Sequence, residues 1–393
     1  MQPTSTPLPE VSFPVGPGSV DVIPHQIVRT SDDRLFIFAG YPYSKEVNAY
    51  WTDAPGLPDS LEAFAGHSHI ETPADPLSVD AAYGGGRWIL ILVNEQDGEL
   101  RAYPFDTLAL AFLQPMTIAQ KNPTVDGDYL GTSGVSGMFD AAGILHVAYW
   151  GEGDHIDYQS FTLDMETGRL ERDGGPKRLD TDGSANHPIL ATGPDNSLTV
   201  AWISESTPGA RIDVRTRDAS GAWAEIESVS RGPVWHSSYF GVNIDQGPSL
   251  VVDGMGVRHL AYIEDYGTAG EYGRVHYVVG SEGDWHDQAL SIWSHDPALV
   301  VRAPGQLVLI GHGHPENSTC KRMDDICFST LDDSGAWSDP ISFAIPPDGA
   351  SFDSSPSVKW SGAPAGLVRP ETVEFAFFST PYNAPTVFYG RLP

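Results

Sequence analysis

The chain has 393 residues, and its 41 glycines, 32 prolines and 10% aromatic content favour short strands joined by tight turns over helices. Its 52 acidic and 22 basic residues give a formal net charge of -30, a field that repels phosphate backbones, so we expect no nucleic-acid partner. No run of 18 apolar residues is present, so we expect no membrane insertion. These features predict an all-β protein.

The N-terminal segment, residues 1–18, is rich in proline and threonine and lacks the basic start and apolar core of a signal peptide. It is similar to the linker that follows the lipid-modified cysteine in bacterial lipoproteins. We therefore expect a secreted or cell-surface protein from which a signal sequence has been removed. Residues 19–393 are predicted to form one domain, and we expect a monomer.

One motif recurs seven times along the rest of the chain. In each copy a polar residue, usually followed by proline, precedes an apolar strand, and a turn leads to a second apolar strand. The first strands lie at residues 23–28, 75–79, 134–139, 187–190, 247–252, 296–301 and 355–358. A period of about fifty residues with four strand signals in each copy is typical of propeller blades.

The repeat therefore predicts a seven-bladed β-propeller with four antiparallel strands in each blade. The last copy ends near Arg391 without room for a fourth strand, while residues 19–23 precede the first copy. We expect this N-terminal strand to complete the last blade, because closure pairs two sheet edges that would otherwise be open.

Tryptophan-containing turns follow the third strands of several copies. Residues 218–223 and 332–337 share the sequence Asp-x-Ser-Gly-Ala-Trp, and residues 281–285 form a looser version. These turns resemble the Asp-box (BNR) turns of sialidase-like propellers, although their spacing differs. The resemblance implies a propeller in which the turns are structural. The Phe-Arg-Ile-Pro motif of sialidases is absent from the sequence, so sialidase activity is not expected.

Propellers bind ligands on the face formed by the loops that lead into the innermost strands and by those that join the second and third strands. His25, His187 and His295 lie just before innermost strands. They could ring the axis as functional groups, or cap and connect neighbouring blades. Residues 232–246 add Trp235, His236 and Tyr239, which suit a sugar ring but could instead be buried between blades.

The loops between second and third strands supply further candidates. Trp150, Glu152, Glu264 and Tyr266 lie in these loops. Paired carboxylates there would suit glycoside hydrolysis. A polysaccharide lyase would instead use His236 as base and Tyr239 as acid, with a cation to neutralise the uronate carboxylate. Arg211, Lys321 and Arg322 are the candidate cations.

A metal site and a disulfide are also indicated. His312 and His314 alternate along a strand and could hold zinc with Glu316 or His295 as third ligand. Calcium in an acidic loop is an alternative. Cys320 and Cys327 have a spacing that fits a loop-closing disulfide in an oxidising compartment, although two free thiols or a metal site are alternatives.

The sequence as a whole favours an extracellular carbohydrate-active propeller, a glycoside hydrolase or a polysaccharide lyase, whose partner is a glycan. The alternative is a non-catalytic propeller that binds glycan or protein. The predicted catalytic residues are His187, His236, Tyr239, His295 and Glu264. The predicted ligand-binding residues are His25, Trp150, Glu152, Trp235, Tyr266, Arg211 and Arg322.

Overall fold

The structure is a computed structural model of the protein. It describes residues 12–14, 25–41, 44–64, 66–120, 134–181, 183–205, 210–231, 234, 247–264, 273–281, 283–294, 297–303, 305–321, 325–332, 334–343, 373–379 and 386–392. Within these ranges the chain forms 28 strands and one 3-10 turn at Leu61–Ala63. None of the described segments is a helix long and apolar enough to cross a bilayer.

Six antiparallel sheets follow one another along the chain as propeller blades. Blade I contains β2 (His25–Arg29), β3 (Leu35–Tyr41), β4 (Glu46–Trp51) and β5 (Gly66–Glu71). Blade II contains β6 (Pro76–Tyr83), β7 (Trp88–Glu95), β8 (Glu99–Asp106) and β10 (Met116–Gln120), with the short β9 (Ala111–Phe112) paired to β8. Blade III contains β11 (Val135–Phe139), β12 (Ile144–Gly151), β13 (His155–Leu163) and β14 (Leu170–Arg178).

The later blades repeat the same order. Blade IV contains β15 (Ala185–Thr192), β16 (Leu198–Ser204), β17 (Arg211–Arg217) and β18 (Glu227–Ser228). Blade V contains β19 (Ser249–Val252), β20 (Arg258–Ile263), β21 (Gly273–Ser281) and β22 (Asp284–Ser294). Blade VI contains β23 (Ala298–Ala303), β24 (Gln306–His312), β25 (Ile326–Thr330) and β26 (Ile341–Phe343). The first strands of successive blades contact one another, so they form the inner wall.

The two ends of the chain form a different sheet. Its described part has three strands, in the order β1 (Ser12–Pro14), β28 (Thr386–Leu392) and β27 (Val373–Ser379). The prediction of seven four-stranded blades is therefore wrong: the described chain is a propeller of six such blades, with this terminal sheet beside β2. The reason is strand pairing, because β28 pairs with β27 on one side and only with three residues of β1 on the other.

The N-terminal strand of this sheet lies within the segment that the sequence indicates to be a linker. Its residues, Ser12–Pro14, pair with residues 388–390 of β28. Residues 19–23, which were expected to complete the last blade, lie outside the described part of the chain, as does the predicted strand at 355–358.

The core lies between the blades. The second strand of blade II, β7, is buried on both faces, which explains its continuous apolar sequence Trp-Ile-Leu-Ile-Leu-Val. Apolar side chains of blade III pack against blade II, where Leu145, Val147 and Phe161 contact the cluster around Trp88 and Leu90. Burial of this kind contributes about 1.5–3 kcal/mol for each large apolar side chain.

The tryptophan turns contact neighbouring blades. The Asp218 carboxylate accepts hydrogen bonds from Ser220 Oγ at 2.6 Å and from the backbone N–H of Ala222 at 2.9 Å. The turn presents Trp223, whose ring meets Tyr158 of the preceding blade edge to face, with centroids 5.0 Å apart. Trp337 meets Tyr277 in the same way at 5.2 Å.

Each of these tyrosines also binds a buried histidine. Nδ1 of His146 lies 2.7 Å from the Tyr158 hydroxyl, and Nδ1 of His259 lies 2.7 Å from that of Tyr277. Burial lowers the pKa of both imidazoles, against the opposing effect of a nearby aspartate. These two histidines therefore connect strands as neutral side chains.

Candidate functional site

The candidate site lies at the upper end of blade III, where "upper" denotes the end at which the innermost strand of a blade begins. His155 is the first residue of β13 and follows a tight turn through Gly153. Its Nδ1 atom lies 2.8 Å from Oδ2 of Asp180, a residue just beyond β14. The imidazole is 16% exposed and Asp180 is buried, so the dyad lies at the surface with its carboxylate facing inward.

The contacts of Asp180 determine which imidazole nitrogen carries the proton. Its Oδ1 accepts the backbone N–H of Ile156 at 2.8 Å, and its Oδ2 accepts that of Gly183 at 3.1 Å. The carboxylate is thus an acceptor throughout, and Nδ1 of His155 must donate to it. This leaves the lone pair on Nε2, for which the described residues provide no hydrogen-bond partner. The arrangement is that of an oriented general base.

A second titratable group lies on the same face of β13. Asp157 is two residues after His155, and alternate residues of a strand share a face. Burial raises the pKa of Asp157, with Asp180 adding to the effect and Arg178 and His155 opposing it. A carboxyl group with a raised pKa retains its proton at higher pH and can act as a general acid.

The backbone provides room for this carboxyl group. A Cβ atom at Gly151, which pairs with His155 across the strands, would lie only 2.2 Å from Oδ2 of Asp157. Arg178 is paired with Asp157 in the β13–β14 register, and its side chain is exposed. The upper end of blade III therefore brings together a base, an acid and an exposed cation, which we call the His155 site (His155, Asp157, Arg178 and Asp180).

Two predicted ligand-binding residues belong to the same loop. Trp150 is partly buried at the end of β12, and Glu152 is exposed in the turn before His155. Trp150 pairs with Ile156, so it lies on the face of the sheet opposite to His155 and Asp157. Glu152 is thus close to His155 in the chain, whereas Trp150 faces blade IV.

The predicted catalytic residue His187 lies near this loop. The backbone N–H of Ala185, in the same strand, donates to the carbonyl of Asp154 at 2.9 Å. His187 is buried at a bulge of β15, with a φ of 52° and its Nδ1 atom 2.8 Å from Oδ1 of Asn186. His187 therefore lies on the first strand of blade IV, two residues after the position at which this strand contacts the loop before His155.

Other predicted residues lie on separate blades. Arg211 is the first residue of β17, and its Nε atom lies 2.8 Å from Oδ1 of Asp213. His25 is buried at the start of β2 in blade I. Arg211 thus belongs to blade IV and His25 to blade I.

Glu264 belongs to a different cluster, in blade V. Its Oε2 atom lies 3.2 Å from Nε2 of His276, whose Nδ1 lies 2.7 Å from Oδ1 of Asp287. Tyr262 donates to the same aspartate at 2.6 Å. Burial lowers the pKa of His276, but Asp287 and then Glu264 outweigh it, and the net pKa is raised. We call these four residues, Tyr262, Glu264, His276 and Asp287, the His276 cluster. Because its imidazole is held between two carboxylates, neither ring nitrogen is left to act as a base.

The predicted metal ligands lie in blade VI. His312 is buried at the end of β24, and the ring of His314 stacks on Trp293 with centroids 5.4 Å apart. Among the described residues, no group of three or more histidine, cysteine, aspartate or glutamate side chains is arranged to hold a metal ion. Cys320 and Cys327 are joined by a disulfide, with Cα atoms 6.2 Å apart.

Six predicted site residues lie outside the part of the chain that the structure describes. They are Trp235, His236, Tyr239, Tyr266, His295 and Arg322. Their predicted roles stay predictions.

Sequence reasoning missed the central groups of the His155 site. It selected Trp150 and Glu152 from the loop but not His155, and it did not select Asp157, Arg178 or Asp180. One available signal was the alternation of His155 and Asp157 at the start of a strand. Nothing in the sequence indicates that Asp180, 25 positions later, returns to His155.

Comparison with solved structures agrees with the propeller architecture. The chain is similar to an ulvan lyase of polysaccharide lyase family PL25 solved with a bound GlcA(1-4)Rha3S repeat, with a TM-score of 0.61 and 10% identity over 96% of this chain and 95% of that chain. The polysaccharide lyase Uly1 gives a TM-score of 0.54 and 11% identity over 95% of this chain and 90% of that chain.

A third similar structure is the SapL1 lectin in complex with alpha methyl fucoside, with a TM-score of 0.44 and 10% identity over 84% of this chain and 98% of the lectin. No protein-family model matches the sequence, and no curated protein sequence matches it either. The similarity to the two lyases shows a shared β-propeller fold, and that fold hosts many activities.

Proposed function

We propose that this protein is a carbohydrate-active propeller that cleaves uronate-containing polysaccharide by β-elimination at the His155 site. The observation that carries the proposal is the geometry of His155, whose Nδ1 is fixed by Asp180 while Nε2 keeps its lone pair. The similarity in fold to two polysaccharide lyases supports the same class of reaction.

The reaction needs three groups, and the site supplies each type. Nε2 of His155 takes the C5 proton α to the uronate carboxyl group, whose charge Arg178 balances. The electron pair forms the C4–C5 double bond as the C4–O4 bond breaks, and Asp157 gives its proton to the departing O4 atom. The raised pKa of Asp157 favours this donor role.

The acidic surface limits which substrates can bind. With a net charge of -30, the protein repels anionic chains unless a local cation offsets that field. Arg178 is exposed beside Asp157 and provides such a charge. We further propose that the protein works outside the cell, where polysaccharides are available and where a disulfide such as Cys320–Cys327 persists.

The test is an incubation with neutral and uronate-containing polysaccharides, read by absorbance near 235 nm and by new reducing ends. The wild-type protein should give unsaturated product from a uronate polymer. His155→Asn should lower kcat by about 100-fold or more, as expected for loss of a general base, with binding retained. The matched control is His286→Asn, because His286 is 72% exposed on blade V and should leave kcat unchanged.

Two outcomes would overturn the proposal. Reducing ends without absorbance near 235 nm would show hydrolysis instead of elimination. Binding to a glycan without turnover of any polymer would show a recognition module, the second role that propellers serve.

A further inference from the structure

A group of basic side chains lies between the outer strands of blades III and IV. Lys177 belongs to β14, and Arg215 and Arg217 belong to β17. Nζ of Lys177 lies 5.5 Å from the centroid of the Trp223 ring, and the guanidinium carbon of Arg215 lies 6.0 Å from it. Arg217 forms a backbone bridge with Trp223. We call these four residues the Trp223 cluster.

The local charge opposes that of the whole protein. β14 and β17 together hold six of the 22 basic residues of a chain whose net charge is -30. Within the described residues, Lys177, Arg215 and Arg217 form no ion pair. Burial lowers the pKa of Lys177, and the neighbouring charges of Arg215 and Arg217 lower it further. Like charges held together without a counter-charge favour an anion.

The cluster is held in place by contacts within the fold. Nε of Arg215 donates to the carbonyl of Ala224 at 2.8 Å, and its terminal nitrogen donates to that of Leu179 at 3.0 Å. Trp223 is fixed against Tyr158 of blade III. A Cβ atom at Gly221 would lie 3.2 Å from a terminal nitrogen of Arg217, so a glycine leaves room for that guanidinium. The Arg215 guanidinium and the Trp223 ring are therefore positioned before any ligand binds.

An aromatic ring and cations at one position suit an acidic sugar. The exposed parts of a tryptophan ring can contact the apolar face of a pyranose, and lysine and arginine bind sulfate and carboxylate oxygens. Lys177 and Arg178 are consecutive in β14, so their side chains lie on opposite faces of blade III. The Trp223 cluster is thus adjacent to the His155 site but separate from it.

We propose that the Trp223 cluster binds the anionic groups, sulfate ester or carboxylate, of an acidic polysaccharide outside the His155 site. The choice of a polysaccharide rests on the proposed function. Because the two sites lie on neighbouring residues of β14, a long polymer can occupy both, whereas a short oligosaccharide at the His155 site does not reach the cluster.

The experiment measures binding of the full chain to a sulfated uronate polysaccharide by isothermal titration calorimetry at low salt. Arg217→Gln and Lys177→Gln should each raise Kd by about tenfold, the factor expected for loss of one charge-assisted hydrogen bond. The matched control is Lys45→Gln, since Lys45 is an exposed lysine of blade I and should leave Kd unchanged. Far-UV circular dichroism confirms that each variant is folded.

Chemically modified polymers distinguish the anion. If the bound group is sulfate, desulfation of the polymer should remove the difference in Kd between the wild-type protein and Arg217→Gln. If the bound group is a carboxylate, reduction of the carboxyl groups should remove that difference in Kd. An equal Kd for all variants, or an equal affinity for a neutral polymer of the same length, would overturn the proposal.

Turnover separates this proposal from the proposed function. Variants of the cluster should keep the wild-type kcat on a short uronate oligosaccharide, whereas His155→Asn should keep the wild-type Kd for the polymer. If no variant or wild-type protein turns over any polymer, the proposed lyase activity fails while the binding measurement still tests the cluster.

Discussion

Arg29 and Glu374, 345 positions apart in the chain, form a buried ion pair that joins blade I to the terminal sheet, with Nε of the arginine 2.7 Å from Oε2 of the glutamate. The hydroxyl of Tyr389 donates to Oε1 of the same glutamate at 2.8 Å. Burial lowers the pKa of Arg29, but the hydrogen bond and charge of Glu374 outweigh it, and the net pKa is raised. The pair therefore links the two ends of the chain.

Glu374→Gln should destabilise the protein by about 3 kcal/mol, because it leaves a buried guanidinium with only its bond to Asp33 as charge compensation. Urea denaturation measures the change. The matched control is Asp59→Asn, which removes the charge of the partner of Arg391. Because Asp59 is 83% exposed, this substitution should lower the free energy of unfolding by less than about 1 kcal/mol. Equal effects of the two substitutions would show that the buried pair does not stabilise closure.

The His276 cluster should make stability depend on pH. The pKa of His276 is raised in the folded state, so its contribution is complete below the ordinary imidazole value of 6.5 and is lost as pH rises through the raised pKa. Thermal unfolding of wild type and His276→Gln between pH 5.5 and about 9 tests this. The difference in free energy of unfolding between the wild-type protein and His276→Gln should be larger at acidic pH and smaller at basic pH. A difference that does not change with pH would contradict a raised pKa of His276 in the folded state.

Gly151→Ala should lower activity without unfolding the protein. The added Cβ would lie 2.2 Å from Oδ2 of Asp157, so this carboxyl group must move away from its position beside His155. We expect kcat to fall by about tenfold or more, since a displacement of about 1 Å weakens proton transfer strongly. The matched control is Gly175→Ala, where the new atom meets nothing within 4 Å. Equal activity of both variants would place Asp157 outside the mechanism.

Reduction of the Cys320–Cys327 disulfide should destabilise the protein by about 2 kcal/mol, the contribution of a closed loop of this size. Urea denaturation with and without reducing agent measures the change. The double variant Cys320→Ser, Cys327→Ser should be insensitive to the reductant. If the reductant still destabilised that variant, the loss of stability would not come from the Cys320–Cys327 disulfide.

The sequence determined most of the blade architecture. Apolar strands separated by turns, repeated about every fifty residues, predict four-stranded sheets because each strand must bury its side chains and pair its backbone groups. The positions of β7, β12, β16 and β20 follow from their largely apolar sequences. The Asp-x-Ser-Gly-Ala-Trp turns likewise place Trp223 and Trp337 against their neighbouring blades.

Only the tertiary structure decided the number of four-stranded blades and the membership of the candidate site. The repeat counts copies but does not show which strands pair, and β28 pairs with a strand from the other chain end. In the same way, the sequence predicted that the loop around Glu152 contributes to a site. Asp180 reaches His155 only because β14 runs back along β13, which the sequence does not show. Local patterns report burial and turns, while charge partners depend on contacts between residues that are distant in the chain.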